Sequence, residues 1–491
     1  MAASACSSSS SPMSEQDTAV DPALLRLTDE RVASGTSPAA VLASSRGSEL
    51  LAVGGSGDTG DGSAPDVDTV FRIASCTKSF TAARALQLRD AGLLDLDRPI
   101  AELLPQPPRF LIPGADVTPP TSRMLLTMSA GLPTDDAWAD RLESMPRTEF
   151  DALLSRGIRF TRAPGVEYEY ANLGWAILGR ALEQLDGRPL QDQIEQDLLD
   201  PLGLTGVRFA PPAGRRLATG YARHNGAWQK QAVTAPGAFS AIGGLFASCA
   251  DILAWARWLA DAFTGGASAS DAVLSTASRR EMQQLHRAIP GGNDEGVRGY
   301  GYGLIVEHSA ARGRVVSHSG GYPGFSAHMR WSTEHAIAVC GFENAGYSAV
   351  HEIVRPAFDA ALDHAVTASQ SAPLPGPWAE TRAAVARISE LVSDHGNMTL
   401  WDRAGRDLFD GCIDLDVSVA ERRSRLSRIV PEVGAPLIHG PASFPTPARA
   451  SWRAFGSSGA FDISLQLTPS EPPLVQRWDV ALITDEVADV S

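Results

Sequence analysis

The chain has 491 residues, of which 44% are hydrophobic and 20% are charged, a composition typical of globular proteins with two or three domains. Its formal net charge of −15 argues against nucleic acid or an anionic membrane as a main partner, because both are themselves negatively charged. The five cysteines are widely spaced and include no Cys-x-x-Cys pair, so neither a disulfide framework nor a cysteine zinc site is expected.

Several further features concern location and cofactors. The sequence contains no run of eighteen apolar residues, so no transmembrane span is predicted. Residues 1–18 are rich in Ser and Ala but lack a basic start and an apolar core, and we interpret them as a disordered tail rather than a secretory signal. Together with the cysteine usage, this favours a cytoplasmic protein. The histidines show no spacing typical of metal ligands, so we expect no metal and no other cofactor.

Residues 19–368 are predicted to form the first domain. A short helix beginning at Asp21-Pro22 is followed by a strand hairpin and then by several helices, the longest apolar one at 173–185. From Gly299 onward, the pattern changes to four strand-like runs and a closing helix at 349–366. This order predicts an α/β sandwich in which the N-terminal hairpin joins the later strands in one antiparallel sheet.

A second, smaller domain is predicted at 378–491, after a Pro- and Ser-rich linker at 369–377. It begins with a helical run and continues with strand-like runs, which predict a mostly β domain of about 110 residues. The strand-like runs are 398–401, 412–417, 437–439, 449–455, 460–467 and 475–483.

The chemistry of the first domain is expected to centre on Ser75 and Lys78. They stand three residues apart at the start of a helical run, so their side chains share one face of the helix. A serine hydroxyl is a weak nucleophile until a base takes its proton, and a lysine in a partly dry site can be that base because burial lowers its pKa. The pair is therefore a candidate activated nucleophile, and a helix N-cap beside a solvated lysine is the alternative.

Two other short motifs could contribute to the same site. Tyr170-Ala171-Asn172 precedes the long apolar helix, and His318-Ser319-Gly320 ends a strand-like run. Taken singly, the first is explained equally well by a packed ring with a helix N-cap, and the second by a turn. Only their combination with the Ser75 motif indicates a common site.

In this order, the three motifs resemble those of the penicillin-binding protein and class C β-lactamase superfamily of serine acyl enzymes. The resemblance extends over 19–366 and includes the nucleophile segment 71–81, the segment 93–104 and the third motif 318–325. Residues 125–133 are similar to the family's His-Thr-Ser-Gly-Leu-Pro loop, with Met128 where the family usually has His. The resemblance implies the α/β sandwich of β-lactamases and transpeptidases.

The resemblance also implies how the proton of Ser75 is moved. Ser75 would attack an acyl carbonyl and form an acyl-enzyme, while Lys78 and Tyr170 would transfer its proton to the leaving group. A tyrosine can accept a proton only if nearby cations depress its pKa. Lys78 could supply that charge, and His318 could add to it if it is protonated.

The remaining implied roles concern substrate binding. Asn172 would hold Lys78 or a substrate amide. The backbone N–H groups of Ser75 and of Gly321, which follows Gly320, would form an oxyanion hole.

The third motif differs from the Lys-Thr-Gly of most β-lactamases, because His318 replaces the lysine. Histidine is less basic, so a fixed positive charge for a substrate carboxylate is not expected. The His-x-Gly form resembles D-amino-acid peptidases, esterases and penicillin-binding-type thioesterases. The last group releases and cyclises nonribosomal peptides and carries a small lipocalin-like β domain, which the resemblance implies for 378–491.

We therefore hypothesise a serine hydrolase or acyltransferase that acts on a peptidyl ester, a thioester or a D-amino-acid peptide. Its partner would be a small-molecule or peptide substrate, which a carrier protein or a thioester mimic could present. Two alternatives remain open. One is a β-lactamase, carboxylesterase or DD-peptidase of the same fold, and the other is a non-catalytic peptide-binding module.

Overall fold

The computed structural model describes residues 20–114, 116–264, 269–291, 296–368 and 376–483. Contacts between residues divide the chain into two compact units, Met1–Ala368 and Ser369–Ser491. The predicted tail at 1–18 and most of the predicted linker lie outside the described residues. Within those residues, no helix is both long enough and apolar enough to span a membrane.

The first unit is built on an antiparallel sheet. Its strands are, in chain order, β1 (Ala39–Arg46), β2 (Glu49–Gly57), β3 (Phe71–Arg72), β4 (Phe110–Leu111), β5 (Ile158–Arg159), β6 (Tyr221–His224), β7 (Ala227–Lys230), β8 (Phe246–Ala247), β9 (Arg287–Ala288), β10 (Val297–Tyr300), β11 (Ile305–Ser309), β12 (Gly313–Tyr322), β13 (Phe325–Ser332) and β14 (Ile337–Glu343). Among the described residues, eight strands form the main sheet in the order β2-β1-β14-β13-β12-β11-β10-β9. Strand β1 pairs with β14, with Ala40 opposite Glu343. The predicted joining of the N-terminal hairpin to the later strands is confirmed.

Helices cover both faces of this sheet. They are α1 (Pro22–Ala33), α2 (Thr77–Asp90), α3 (Ser122–Leu126), α4 (Asp136–Ala139), α5 (Arg147–Arg156), α6 (Asn172–Asp186), α7 (Leu190–Ile194), α8 (Ser240–Gly243), α9 (Cys249–Ala260), α10 (Thr276–Met282) and α11 (His351–Ala368). Short 3-10 turns occur at Ala74–Cys76, Ile100–Leu103, Asp261–Phe263 and Ala269–Ala272, and a π-helical turn occurs at Glu195–Leu199.

The two faces of the sheet are buried in separate clusters of apolar side chains. Leu42 of β1 packs in a cluster with residues of α1 and α11, whereas its neighbours Val41 and Ala43 join the larger cluster that contains α2, α6 and α9. This alternation is what a strand buried on both faces requires, because successive side chains point to opposite sides. The predicted α/β sandwich is confirmed.

Helix α2 is the buried centre of the larger cluster. Eleven of its 14 residues are buried, so it is covered on every side rather than on one face. Phe80 stacks on Trp255 of α9 with ring centroids 4.0 Å apart, and the indole Nε1 of Trp255 donates a hydrogen bond of 3.0 Å to Ser79 Oγ. These contacts fix the first turn of α2, and with it the Ser-x-x-Lys motif.

Strand β12 passes very close to the turn that precedes α2. A Cβ atom added to Gly320 would lie 2.4 Å from the carbonyl oxygen of Ile73 and 3.0 Å from the backbone nitrogen of Ser75. The turn itself carries strain, because Ala74 has a φ of 47°, in the left-handed region that L-residues avoid. Only a glycine at 320 allows the strand to approach this turn.

We expect the change Gly320→Ala to lower the free energy of unfolding by about 1–3 kcal/mol, because the new methyl group meets backbone atoms that cannot move aside. Urea unfolding measures the effect. Gly405→Ala in the second unit is the control, since a Cβ atom there meets no atom within 4 Å. Equal stability of the two variants would show that the approach of β12 is not as tight as described.

The second unit combines a sheet with helices. Its helices are α12 (Ala379–Ser393), α13 (Met398–Asp407), α14 (Cys412–Asp416) and α15 (Val419–Val433), and its strands are β15 (Ile438–His439), β16 (Ser443–Thr446), β17 (Arg449–Phe455), β18 (Ala460–Leu467) and β19 (Val475–Leu482). The five strands form one sheet. Four of them follow the order β15-β17-β18-β19, and the fifth, β16, pairs with β17. The expected small β domain is present, but in the described residues its sheet is open, unlike a closed lipocalin-like barrel.

Two strand predictions in this unit are wrong, since 398–401 and 412–417 lie in helices α13 and α14 or directly follow them. In α13, Trp401 and Ala404 are buried at helical spacing, and the Asn397 side chain accepts a hydrogen bond from the Thr399 N–H at the start of the helix. Runs of four to six partly apolar residues do not distinguish a buried strand from a helix by periodicity.

Candidate active site

Ser75 and Lys78 lie together at the amino end of α2. Lys78 Nζ donates one hydrogen bond of 2.9 Å to Ser75 Oγ and another of 2.9 Å to the carbonyl oxygen of Ile242 in α8. The Lys78 side chain is fully buried. Burial lowers the pKa of Lys78 to about 8, against the opposing effect of nearby carboxylates. A lysine in this state can exchange a proton near neutral pH.

Tyr170 precedes α6 and packs beside this pair. Lys78 Nζ lies 5.1 Å from the centroid of the Tyr170 ring. Burial raises the pKa of Tyr170 well above its usual value, and the neighbouring Ser75 hydroxyl offsets this only in part. The expectation that cations depress the pKa of this phenol is therefore wrong, because the loss of hydration in this partly buried position outweighs the single ammonium nearby.

Met128 holds the Tyr170 segment in place. Its Sδ accepts hydrogen bonds of 3.4 Å from the backbone N–H of Ala171 and of 3.4 Å from Trp175 Nε1. Met128 itself adopts a left-handed φ of 54°. The thioether, at the position where the resembling family usually has His, thus supplies a weak acceptor to the start of α6.

His318 is held as a neutral imidazole. Its Nδ1 lies 2.6 Å from the carbonyl oxygen of Ser319, which can only accept, so Nδ1 carries the proton. Its Nε2 then accepts from the Tyr300 hydroxyl at 2.9 Å. Burial, together with the charge of Lys78, lowers the pKa of His318 to about 3. His318 therefore adds no positive charge beside Tyr170, which agrees with the expectation that it provides no fixed positive charge for a substrate carboxylate.

Asn172 lies near the site but bonds to a different partner from the one expected. Its Nδ2 donates a hydrogen bond of 2.6 Å to Asp136 Oδ1. Its Oδ1 is buried, and among the described residues it has no hydrogen-bond partner. The hydrogen bonds of Lys78 go to Ser75 and Ile242, and none of those found joins it to Asn172.

A cavity of about 290 Å³ brings most of these side chains to one surface. Its lining residues are Ser75, Asp136, Asp140, Tyr170, Ile305, His318, Ser319, Gly321 and Tyr347. Gly321 packs under Tyr347, since a Cβ atom added to it would lie 2.7 Å from the Tyr347 ring. Gly320 stays behind this surface, against the turn that carries Ser75. The three motifs therefore converge in the first unit.

A larger concavity of about 380 Å³ lies on the sheet of the second unit. The charged residues that line it include Arg453 and Asp462, which pair with each other at 2.8 Å. No histidine, lysine or cysteine lines it. Its chemistry therefore offers no nucleophile and base of the kind found in the first unit.

Sequence reasoning missed three carboxylates at the site, Asp135, Asp136 and Asp140. Asp135 accepts the backbone N–H groups of Asn172 at 2.7 Å and Leu173 at 2.8 Å, which stabilises the amino end of α6. All three carboxylates act on the pKa of Lys78, Asp140 most strongly. The signal that could have found them is the Asp135-Asp136 pair, which follows the Gly131-Leu132-Pro133 loop after one residue.

A buried ion pair fixes the segments around the site. Arg72 Nη2 lies 3.3 Å from Glu143 Oε1, and both side chains are almost fully buried. Arg72 also donates to the carbonyl oxygen of Gly243 at 3.1 Å, while Ser240 Oγ donates to Glu143 at 2.6 Å. The Tyr322 hydroxyl donates to the same carboxylate at 3.3 Å. The pair thus joins β3, α8 and the end of β12, the elements that surround Ser75.

We expect Arg72→Leu to lower the free energy of unfolding by about 3–5 kcal/mol, because it leaves the Glu143 carboxylate buried without a cation. Urea unfolding measures the loss. The surface variant Arg26→Leu is the control, since Arg26 pairs with Glu30 only at 3.9 Å and both are exposed. The double change of Arg72 and Glu143 to Leu should recover part of the loss, and a single variant as stable as the control would contradict the prediction.

Comparison with known proteins places this geometry in context. The family model described as Beta-lactamase matches residues 24–364. The D-alanyl-D-alanine-carboxypeptidase/endopeptidase AmpH of Escherichia coli strain K12 is 24% identical over 271 residues, covering 54% of this chain and 68% of that protein.

Two solved structures show the same fold. The octameric penicillin-binding protein homologue from Pyrococcus abyssi is 20% identical, with a TM-score of 0.61, and the match covers 94% of this chain and 96% of that one. The D-amino acid amidase from Ochrobactrum anthropi SV3, complexed with L-phenylalanine amide, is 24% identical, with a TM-score of 0.55, covering 71% of this chain and 99% of that one.

Proposed function

Because the chain belongs to the Beta-lactamase family and is a serine hydrolase of that family, we propose that Ser75 forms an acyl-enzyme with a peptidyl ester, thioester or D-amino-acid amide. The observation that carries the proposal is the 2.9 Å hydrogen bond between Lys78 Nζ and Ser75 Oγ in a fully buried position beside an open cavity. A nucleophile and a base at hydrogen-bonding distance are what covalent acyl transfer requires.

In the first step, neutral Lys78 takes the proton of Ser75 as Oγ bonds to the acyl carbon. Tyr170 remains a protonated phenol, because burial raises its pKa, so it serves as a donor rather than as a phenolate base. It is therefore suited to protonate the leaving group as the bond between that group and the acyl carbon breaks. Lys78 then passes the proton taken from Ser75 to Tyr170, so that the amine is again neutral, the phenol is again protonated, and the net transfer is one proton from Ser75 to the leaving group.

The negative charge that develops on the acyl oxygen has to be stabilised by hydrogen-bond donors. We assign this role to the backbone N–H groups of Ser75 and Gly321. Two features support the assignment: β12 approaches the backbone nitrogen of Ser75 at Gly320, and Gly321 lines the same cavity as Ser75. Asn172 acts on the cavity indirectly, because its amide is hydrogen-bonded to Asp136, which lines the cavity.

The substrate that fits best carries no carboxylate near the reacting carbonyl. His318 is neutral, and the residues that line the cavity include Asp136 and Asp140 but no Arg or Lys. This disfavours β-lactams and peptides with a free C-terminal carboxylate relative to peptidyl esters, thioesters and amides. The release or cyclisation of a peptide held as a thioester is the form of the reaction that we propose, with a small molecule or a carrier-bound peptide as substrate.

Labelling with a fluorophosphonate tests the acyl-enzyme proposal. Intact-protein mass spectrometry should show one adduct, and peptide mapping should place it on Ser75. Ser75→Ala should abolish the adduct, while Ser155→Ala on exposed α5 should retain it. Absence of an adduct on the wild-type protein would count against the proposal. Faster turnover of nitrocefin than of a peptidyl thioester would instead favour the β-lactamase alternative.

We expect acylation by a neutral ester such as p-nitrophenyl acetate to rise with pH and to level off near pH 8. Below its lowered pKa, Lys78 is an ammonium that cannot accept the serine proton, so kcat/KM should fall about tenfold for each pH unit. A pH series from 6.5 to 9.5 measures this. His318 should add no step, because its pKa is lowered to about 3. A step near pH 6.5–7 that His318→Asn removes would contradict the assignment.

A further inference from the structure

The cavity beside Ser75 has an acidic wall that the proposed reaction does not use, formed by Asp136 and Asp140. Asp140 is only 4% exposed, yet it lines the cavity, and Asp136 is exposed at the same surface. Asp140 Oδ2 accepts one hydrogen bond, of 2.8 Å, from the Tyr347 hydroxyl. Among the described residues, no ion pair involves either carboxylate.

Burial of such a carboxylate is costly when no cation pairs with it. Burial raises the pKa of Asp140, against the effect of Lys78. The hydrogen bonds of Lys78 are already directed to Ser75 and Ile242. Arg141, the next residue along the chain from Asp140, is exposed and donates to the carbonyl oxygen of Ala137. One ammonium thus faces the carboxylates of Asp135, Asp136 and Asp140.

A second observation concerns the buried amide that supports Asp136. Asn172 is fully buried, and its Oδ1 has no hydrogen-bond partner among the described residues. Its Nδ2 is bonded to Asp136, so the orphan oxygen belongs to the amide that supports the acidic wall. The hydrogen bond from this buried amide therefore holds the Asp136 carboxylate in place at the cavity.

A purely structural role explains only part of this cluster. Asp135 is accounted for by the backbone N–H groups at the start of α6. A single carboxylate would be enough to balance the charge of Lys78. Asp136 and Asp140 remain, and both are directed to the cavity that contains the candidate nucleophile.

We infer that Asp136 and Asp140 bind an ammonium group of the acyl donor, so that the site selects donors with a free amine near the reacting carbonyl. This inference rests on the proposed acyl-enzyme function and narrows its substrate class. An ammonium can donate three hydrogen bonds, and its charge complements the acidic wall. The amine can be the α-amine of an aminoacyl donor or the amine of a side chain, and the two differ only in their position on the donor.

Three D-configured p-nitroanilides separate these possibilities: D-norleucine with a free α-amine, N-acetyl-D-norleucine without an amine, and N-acetyl-D-lysine with a side-chain amine. Release of p-nitroaniline reports acylation, and the ratio of kcat/KM between donors is the quantity of interest. At pH 8, we expect at least one amine-bearing donor to exceed N-acetyl-D-norleucine by roughly 10- to 100-fold, as for a hydrogen bond to a charged group. The better of the two identifies the position of the amine.

The variant Asp140→Asn should reduce this ratio to about threefold or less. A loss of charge that acted only through the pKa of Lys78 would change the rates with all three donors by the same factor and leave the ratio unchanged, so the ratio distinguishes binding from a general electrostatic effect. Glu49→Gln, at the exposed first residue of β2, removes the same charge far along the chain and should preserve the ratio. Asp136→Asn is the second variant, for use if Asp140→Asn fails to fold.

The outcomes are separable from those of the function itself. A wild-type protein that is not labelled at Ser75 overturns the proposed function. A protein that is labelled at Ser75 but accepts N-acetyl-D-norleucine as well as both amine-bearing donors overturns only this inference. A preference that persists in both Asp variants also overturns it.

Discussion

The burial of the Lys78 ammonium is the constraint on which the rest of the site depends. Such a group loses its hydration, so it is retained only where acceptors replace water. Here, Ser75 Oγ and the carbonyl oxygen of Ile242 accept its hydrogen bonds, and carboxylates act at longer range. Because the acceptors come from the turn before α2 and from α8, the position of Lys78 links segments far apart in the sequence. The same burial lowers the pKa of the lysine, so one feature both orders the site and makes the amine a usable base.

Rigid packing around the Ser75 turn then preserves this arrangement. Ala74 holds a left-handed φ and Gly320 leaves no room for a side chain, so the turn is confined from within and from the β12 side. The Arg72–Glu143 pair joins the neighbouring elements through further hydrogen bonds. A buried pair of this kind is weak evidence for added stability, since apolar replacements are often as good. Its directional bonds instead fix the register of the elements that meet at the nucleophile.

The fold could be predicted from the sequence where the pattern of apolar residues extends over whole helices and strands. The site could be predicted where its residues lie within a few positions of each other in the chain. The hairpin joining β14 followed from the order of elements, and Ser75 and Lys78 share a face because helical geometry sets residues three apart side by side. Three features could not be predicted. The pKa values of Tyr170 and His318 depend on burial by distant segments, and the Asn172 amide meets Asp136 through tertiary contact. Asp140 reaches the cavity from the end of α4, a helix of four residues that is too short to show a periodic pattern. The secondary structure of short apolar runs in the second unit could not be predicted, because a run of four to six residues fits the apolar pattern of a helix and of a strand equally well.

The distribution of charge in the cavity determines which substrates the site favours. A lysine or arginine in the third motif would place a cation where a substrate carboxylate can bind, whereas the neutral His318, with its proton on Nδ1, offers none. The opposite wall is acidic, so the potential across the cavity favours a donor whose positive charge lies away from the histidine. A substrate that brings an ammonium to that wall would also shield Lys78 from the carboxylates that raise its pKa, and so favour the neutral amine that takes the serine proton. Recognition of the donor and activation of the nucleophile would then be coupled through the same carboxylates.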